Sequence, residues 1–170
     1  MQVYMLIYHL NGTYEQYDNT TSVFRKMTNS QVELDIANML RSNSHSNIVT
    51  IYNVTTTYID MELLHTDYEM NSTILDKMNN VKLFLQSMNI AYIDWKSDNI
   101  GLDANGEPKL FDFDGCGIFK PDNTWTVWPF NGYAYKKVSQ IESNPCKIDD
   151  ICFYQYLCKC HVHGTSAFRN

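Results

Sequence analysis

The stretch Ile93-Asp94-Trp95-Lys96-Ser97-Asp98-Asn99-Ile100-Gly101-Leu102-Asp103-Ala104-Asn105-Gly106-Glu107-Pro108-Lys109-Leu110-Phe111-Asp112-Phe113-Asp114-Gly115 decides how this chain is read. Two short strand-like runs, around Ile100-Leu102 and Lys109-Phe111, flank the turn Asp103-Ala104-Asn105-Gly106, so the segment spells a hairpin. Its chemistry sits at the hairpin's ends. Asp94 and Asn99 lie on the loop that enters the first run, and Asp112 follows the second. All three carry oxygen, the donor that hard cations such as Mg2+ prefer, and a carboxylate can also orient an attacking hydroxyl. Phosphoryl transfer asks a protein for metal ligands and positioning rather than covalent help, and this spacing supplies both.

Outward from the hairpin, the chain divides near residue 65. Before it, residues 3–10 and 14–27 read as strands joined at Asn11-Gly12, a strong hairpin signal. A helix over 31–41 follows, opened by the capping box Ser30-Gln31-Val32-Glu33 and given an apolar face by Val32, Ile36, Met39 and Leu40. Two further strands are expected at 48–54 and 57–63. After the boundary, Ile74, Leu75, Met78, Val81, Leu85 and Met88 carry helical spacing through 72–88. Residues 92–98 read as a loop, 115–146 as a long ordered loop with little periodicity, and 148–159 as a last helix. The expectation is one α+β domain, residues 1–170, made of a sheet-rich part (1–64) and a helical part (65–170) hinged at His65-Thr66-Asp67.

Composition narrows the classes further. A chain of 170 residues can bury roughly 70% of its unfolded surface in one domain. The net charge of −6 leaves no basic stripe for phosphates, which argues against a nucleic-acid partner. No run approaches the roughly 18 apolar residues of a membrane span. The opening Met1-to-Gly12 segment lacks a basic region and a small-residue cleavage site, so a cytoplasmic location is expected. The sequons at Asn11, Asn19, Asn53 and Asn71 then reflect Asn and Thr richness, and the five Cys are expected to be reduced thiols. Cys158, Cys160, His161 and His163 are packed too closely for the separated pairs of a structural zinc site.

The hairpin and its surroundings resemble the protein kinase family. Asp94-Trp95-Lys96-Ser97-Asp98-Asn99 is similar to D-L-K-x-x-N, and Asp112-Phe113-Asp114 is similar to D-F-G, 18 residues after Asp94. His45-Ser46-Asn47-Ile48-Val49 resembles H-P-N-I-V. Tyr58 to Leu64 resembles the strand entering the interlobe hinge, and Lys147-Ile148-Asp149-Asp150-Ile151 the helix whose Asp, here Asp150, braces the catalytic loop. The matches run in order over about residues 20–157. The resemblance implies a kinase-like bilobal fold: a small antiparallel-sheet N-lobe with helix C, then a truncated helical C-lobe ending after helix F. It implies ATP and Mg2+, or Mn2+, as cofactors. By position, Asp94 orients the acceptor hydroxyl and Lys96 reaches the γ-phosphate, as in Ser/Thr kinases. Lys26 contacts the α- and β-phosphates and pairs with Glu33. Asn99 and Asp112 hold the metal. The backbone of Glu62 to Leu64 meets adenine behind a Met61 gatekeeper, and Phe113 and Tyr92 stack between the lobes.

Several positions depart from the family pattern. No G-x-G-x-x-G is present, and Phe24 stands where the family places a small Ala against adenine. Ile93 replaces the H-R-D arginine, which removes the cation that would read an activation-loop phosphate. Asp114 replaces the D-F-G glycine, and Lys136 or Lys137 falls where A-P-E has its glutamate. A chain ending after helix F leaves Phe153, Tyr154, Tyr156 and Leu157 on an exposed helix, which favours a homo-oligomer or a protein partner.

Three functions follow from the resemblance. The first is an ATP- and Mg2+-dependent Ser/Thr kinase acting on a protein substrate. The second is a weak or inactive kinase-like module that binds and regulates a partner such as a cellular kinase. The third, a small-molecule kinase of the aminoglycoside or choline type, can show D-F-D but rarely places Lys at position 96. The cut-down pattern resembles minimal kinases of large DNA viruses and of some bacterial effectors, which would place it in host cytoplasm or nucleus.

Overall fold

A computed structural model describes residues 4–18, 23–130 and 132–162 of the chain. Five strands form the first sheet: β1 (Tyr4–Tyr8), β2 (Tyr14–Asp18), β3 (Val23–Met27), β4 (Ile51–Val54) and β5 (Tyr58–Glu62), in the order β2-β1-β3-β5-β4. Gly12, at φ 80°, makes the turn between β1 and β2 in a conformation that costs other residues more. The sheet is mixed rather than antiparallel. β2 lies on one edge of β1 and runs antiparallel to it, while β3 lies on the other edge and runs parallel, pairing Leu6 with Phe24 and Tyr8 with Lys26. The segment expected as one strand over 14–27 is thus two strands on opposite sides of β1.

Alternation sorts the two faces of β3. Phe24 and Lys26 share a face with their β5 partners Met61 and Ile59, both buried. Arg25 turns the other way and forks onto Asp60, with Nε–Oδ1 2.7 Å and Nη2–Oδ2 2.9 Å, while its guanidinium lies over the Tyr58 ring. The inward face is covered by α1 (Gln31–Ser42), which buries Leu34, Ile36, Ala37 and Leu40. Ser30 accepts from the Glu33 amide as expected, but Glu33 does not reach back. The Ser30 amide donates to Thr28 Oγ1 instead, and the Glu33 carboxylate is turned into the core.

The second half begins with α2 (Ser72–Ser87), capped by Asn71, whose Oδ1 accepts from the Ile74 amide. It buries Ile74, Met78, Val81 and Leu85 at the expected spacing, and ends where Asn89 turns left-handed at φ 60°. Then come β6 (Ile90–Ala91), a single 3-10 turn (Ser97–Asn99), and the expected hairpin of β7 (Ile100–Leu102) and β8 (Pro108–Leu110). Residues 115–146 are more ordered than their weak periodicity suggests. β9 (Gly117–Phe119) and β10 (Trp125–Val127) join β6 in a three-stranded sheet, and α3 (Tyr133–Val138) follows. Strands of three residues are too short to display alternation. The last helix is α4 (Pro145–Cys152), which continues through a π-helical turn (Phe153–Cys158) into α5 (Lys159–Val162).

This last helix is not the bare apolar face expected. Phe153 and Leu157 are buried, Tyr156 is half-buried, and Tyr154 alone of the four is exposed. Trp95 meets the Phe153 ring edge-on and the Lys82 ammonium sits over it, so α2 and the loop after β6 supply the missing cover.

The two halves are laced together behind the site. His65 and Leu102 exchange amide hydrogen bonds of 2.8 Å, Val49 N donates to Leu110 O, and Leu110 N donates to Asn47 O. Asn47 Nδ2 also donates to Pro108 O. Lys109, nearly buried, comes within 3.3 Å of Glu62 at the end of β5. The expected hinge residue His65 is therefore held in a bridge. The architecture is α+β, compatible with a small two-lobed fold. Among the described residues no helix is long and apolar enough to cross a membrane.

Candidate functional site

The polar residues singled out in the sequence meet in two adjoining clusters. In the first, Lys26 Nζ on β3 donates to Glu33 Oε1 on α1 and to Asp112 Oδ1 beyond β8, both at 2.7 Å, with Asp114 Oδ2 at 3.8 Å. Glu33 is buried, and its other oxygen accepts from Thr28 Oγ1 at 2.8 Å. Glu33 is thus an ion-pair partner as well as a residue of the helix start, because seven residues suffice to turn from β3 into the first turn of α1. Burial alone would lower the Lys26 pKa, but Glu33, Asp112 and Asp114 more than offset it, and the ammonium is held above its ordinary value.

The Asp112 backbone is left-handed, at φ 65°, a conformation that aims its carboxylate back at Lys26. Burial works against that carboxylate, yet Lys26 outweighs it and the Asp112 pKa ends below the usual range. Asp114 goes the other way: partial burial, then repulsion from Asp112, push it up to about 6.

The second cluster sits on the loop between β6 and β7. Asn99 Nδ2 donates to Asp94 O at 2.9 Å and to Asp94 Oδ2 at 3.0 Å, and Lys96 Nζ donates to the same Oδ2 at 2.8 Å. Phe111 N donates to Asn99 O, so the two clusters share a backbone link next to Asp112. A Cβ on Gly115 would lie 3.2 Å from Asp94 Cβ, so the glycine that follows Asp114 lets this segment approach Asp94 closely.

Beneath the loop is a residue that the sequence reading misplaced. Asp149, not Asp150, is fully buried under it and accepts from Trp95 Nε1 at 2.6 Å and from Ile93 N at 3.4 Å. Asp150 lies on the outer side of α4, where it pairs with Lys82. The Asp149 bonds hold Ile93 at φ 66°, a position that β-branched residues rarely adopt. Burial raises the Asp149 pKa to about 6, opposed by the bonds from Trp95, Gln86 and Ile93. The clue was present in Asp149-Asp150, but helix phase decides which of two neighbours points inward.

The remaining expected residues are placed as follows. Tyr92 and Phe113 touch edge-on at 5.8 Å, and Tyr92 Oη donates to Phe111 O. Met61 is buried on β5 opposite Phe24. The Glu62 amide donates to Thr50 O, while its carboxylate accepts from Thr50 N and faces Lys109. Leu64 is half-buried beside β7. Phe24 and Tyr8 stack, centroids 6.5 Å apart and planes 22° from parallel, on the sheet face that carries Lys26. No protein-family model matches the chain, and no curated protein matches it either.

Proposed function

We propose that the chain is a kinase-like phosphotransferase that moves the γ-phosphate of ATP to a Ser or Thr hydroxyl of a protein, in a minimal protein-kinase-like fold. The observation that supports this most is the Lys26 bridge to Glu33 and Asp112, set beside the Asp94–Lys96–Asn99 cluster. A partly buried ammonium shared by two carboxylates is oriented before any ligand arrives, which suits it to phosphate oxygens.

In this reading Lys26, steadied by Glu33, meets the α- and β-phosphates. The donor set suits Mg2+, which takes one or two protein oxygens and completes its shell from phosphates and water. Asp112 offers a carboxylate kept ionised by Lys26, and Asn99, whose amide nitrogen is committed to Asp94, offers its Oδ1. Bound metal would neutralise charge on the transferring phosphate. Asp94 receives the acceptor hydroxyl, and Lys96, already at its Oδ2, stands beside the developing negative charge.

Thermal unfolding with ATP and Mg2+ tests the proposal. At a hundred times the dissociation constant, ligand is expected to add about 2.7 kcal/mol, a shift of a few degrees. Asp112→Asn is expected to abolish the metal-dependent part. No shift at millimolar nucleotide would overturn the proposal.

A second reading is supported by the Tyr8–Phe24 stack. These rings stand on the sheet face where adenine would lie, which favours a weak or inactive module that binds a partner protein. Phosphate transfer separates the readings: the module binds without transferring, and Phe24→Ala is expected to tighten nucleotide binding in either.

A further inference from the structure

Lys109, the middle residue of β8, is a cation that neither polar cluster uses. Its side chain is only 11% exposed. Nζ sits 3.3 Å from Glu62 Oε1 at the end of β5, and 3.8 Å from Asp103 Oδ2 at the turn of the β7–β8 hairpin. Both carboxylates are largely covered as well, at 16% and 13% exposed. Charges withdrawn this far from water must be answered, and these three answer one another. Such a group adds little net stability over apolar side chains of similar size; what it offers instead is a fixed geometry.

The geometry it fixes is that of residues 62–65. Glu62 is held at its carboxylate, which accepts from the Thr50 amide at 2.6 Å beside Lys109, and at its own amide, which donates to Thr50 O at 2.9 Å. Leu64 packs directly on the hairpin: a Cβ on Gly101 would fall 2.7 Å from Leu64 Cβ, so only glycine admits this approach. His65 then exchanges amide hydrogen bonds with Leu102. The stretch is thus clamped to β7 and β8 at both ends. Between the clamps, the Leu64 amide has no hydrogen-bond partner among the described residues.

This stretch lies in line with Lys26. On one side of the ammonium the space is closed by Thr28 and Glu33, both buried and bonded to each other at 2.8 Å. A nucleotide held there by its phosphates therefore extends the other way, along β5, where Ile59 stands opposite Lys26 and Met61 opposite Phe24. Glu62 is three residues beyond Ile59, about 10 Å along the strand. We propose that Lys109 is a positioning residue for the donor nucleotide. Through Glu62 it fixes the backbone of residues 62–64, so that the Leu64 amide is presented to the edge of the base. The inference rests on the phosphotransfer reading and adds to it a residue that touches no ligand and acts on the base half alone.

The test measures binding of ATP and of inorganic triphosphate, each with Mg2+, by calorimetry on the full chain and on Lys109→Met. ATP is expected to bind the variant about tenfold more weakly, the effect of roughly one hydrogen bond no longer aligned in advance. Triphosphate is expected to bind both alike. Glu62→Gln removes the same ion pair from its other end, and serves if Lys109→Met does not fold. It is expected to match, and the double variant to lose no more than either single one. Asp103→Ala loosens the hairpin turn, where Oδ1 accepts from the Asn105 and Glu107 amides, but leaves the contact with Glu62. It is expected to lower the melting temperature without changing ATP affinity, which separates positioning from stability. Equal weakening of ATP and triphosphate, or ATP affinity unchanged in Lys109→Met and Glu62→Gln, overturns this inference alone. So does an unaltered chain that binds ATP no more tightly than triphosphate, since the base is then not held. An unaltered chain that binds neither overturns the phosphotransfer reading, and the positioning role with it.

Discussion

Lys26 holds the first cluster together because its single ammonium answers two carboxylates, one of them fully inside the core. Glu33→Gln keeps the volume and a donor-acceptor group for Thr28 but leaves a partly buried lysine with less compensating charge. It is expected to cost about 1–3 kcal/mol in urea unfolding, and an unchanged midpoint would show the pair to be energetically idle. Asp149 carries the clearest pH signature. Its folded pKa, about 6, lies above the ordinary 3.8, so the folded state holds a proton that the unfolded chain releases. The stability this contributes is full below about pH 4 and lost as pH rises through about 6. Asp149→Asn is therefore expected to flatten the difference in melting temperature between pH 4.5 and pH 7 by the equivalent of on the order of 2 kcal/mol, and equal slopes would mean that the buried carboxylate stays ionised throughout. Asp94, Asn99 and Asp112 were legible from their spacing about the hairpin, whereas Lys26 and Glu33 were singled out by the resemblance to protein kinases; the structure gathers all five into two adjoining clusters. The Asp149 brace was not legible, since the choice between it and Asp150 depends on about 100° of helix rotation.

Elements formed where periodicity was long enough to read. α1 and α2 lie within a residue or two of expectation, and the β7–β8 hairpin follows its turn residues. β9, β10 and α3 escaped notice because three-residue strands and a six-residue helix draw their stability from packing rather than pattern. Gly117 illustrates that packing: a Cβ there would fall 2.4 Å from the Trp125 ring and 2.8 Å from Pro129 Cδ. Gly117→Ala is expected to destabilise by roughly 1–3 kcal/mol and to shift tryptophan fluorescence, whereas a silent variant would mean that β10 is free to move aside. At the end of α2, Asn89→Ala is expected to cost about 1 kcal/mol, because Ala adopts φ 60° less readily than Asn. Circular dichroism melts would register it.

Over the whole molecule, the mixed sheet was the largest surprise. Consecutive strands β2 and β3 flank β1, and β3 runs parallel to it; that direction is set by the route of the chain between β2 and β3, which no residue pattern announces. The bonds that join His65 to Leu102, Asn47 to Pro108 and Lys109 to Glu62 have their own outcome. A molecule stitched along its spine cannot gape like a book. Amide protons of His65, Leu102 and Leu110 are therefore expected to exchange with deuterium together and slowly, at the rate of global opening, while the segment around Phe130 exchanges early. Under the proposed phosphotransfer reading, a ligand is then expected to enter and leave by the front edge, past the exposed Phe130 side chain, without a swing of one half against the other.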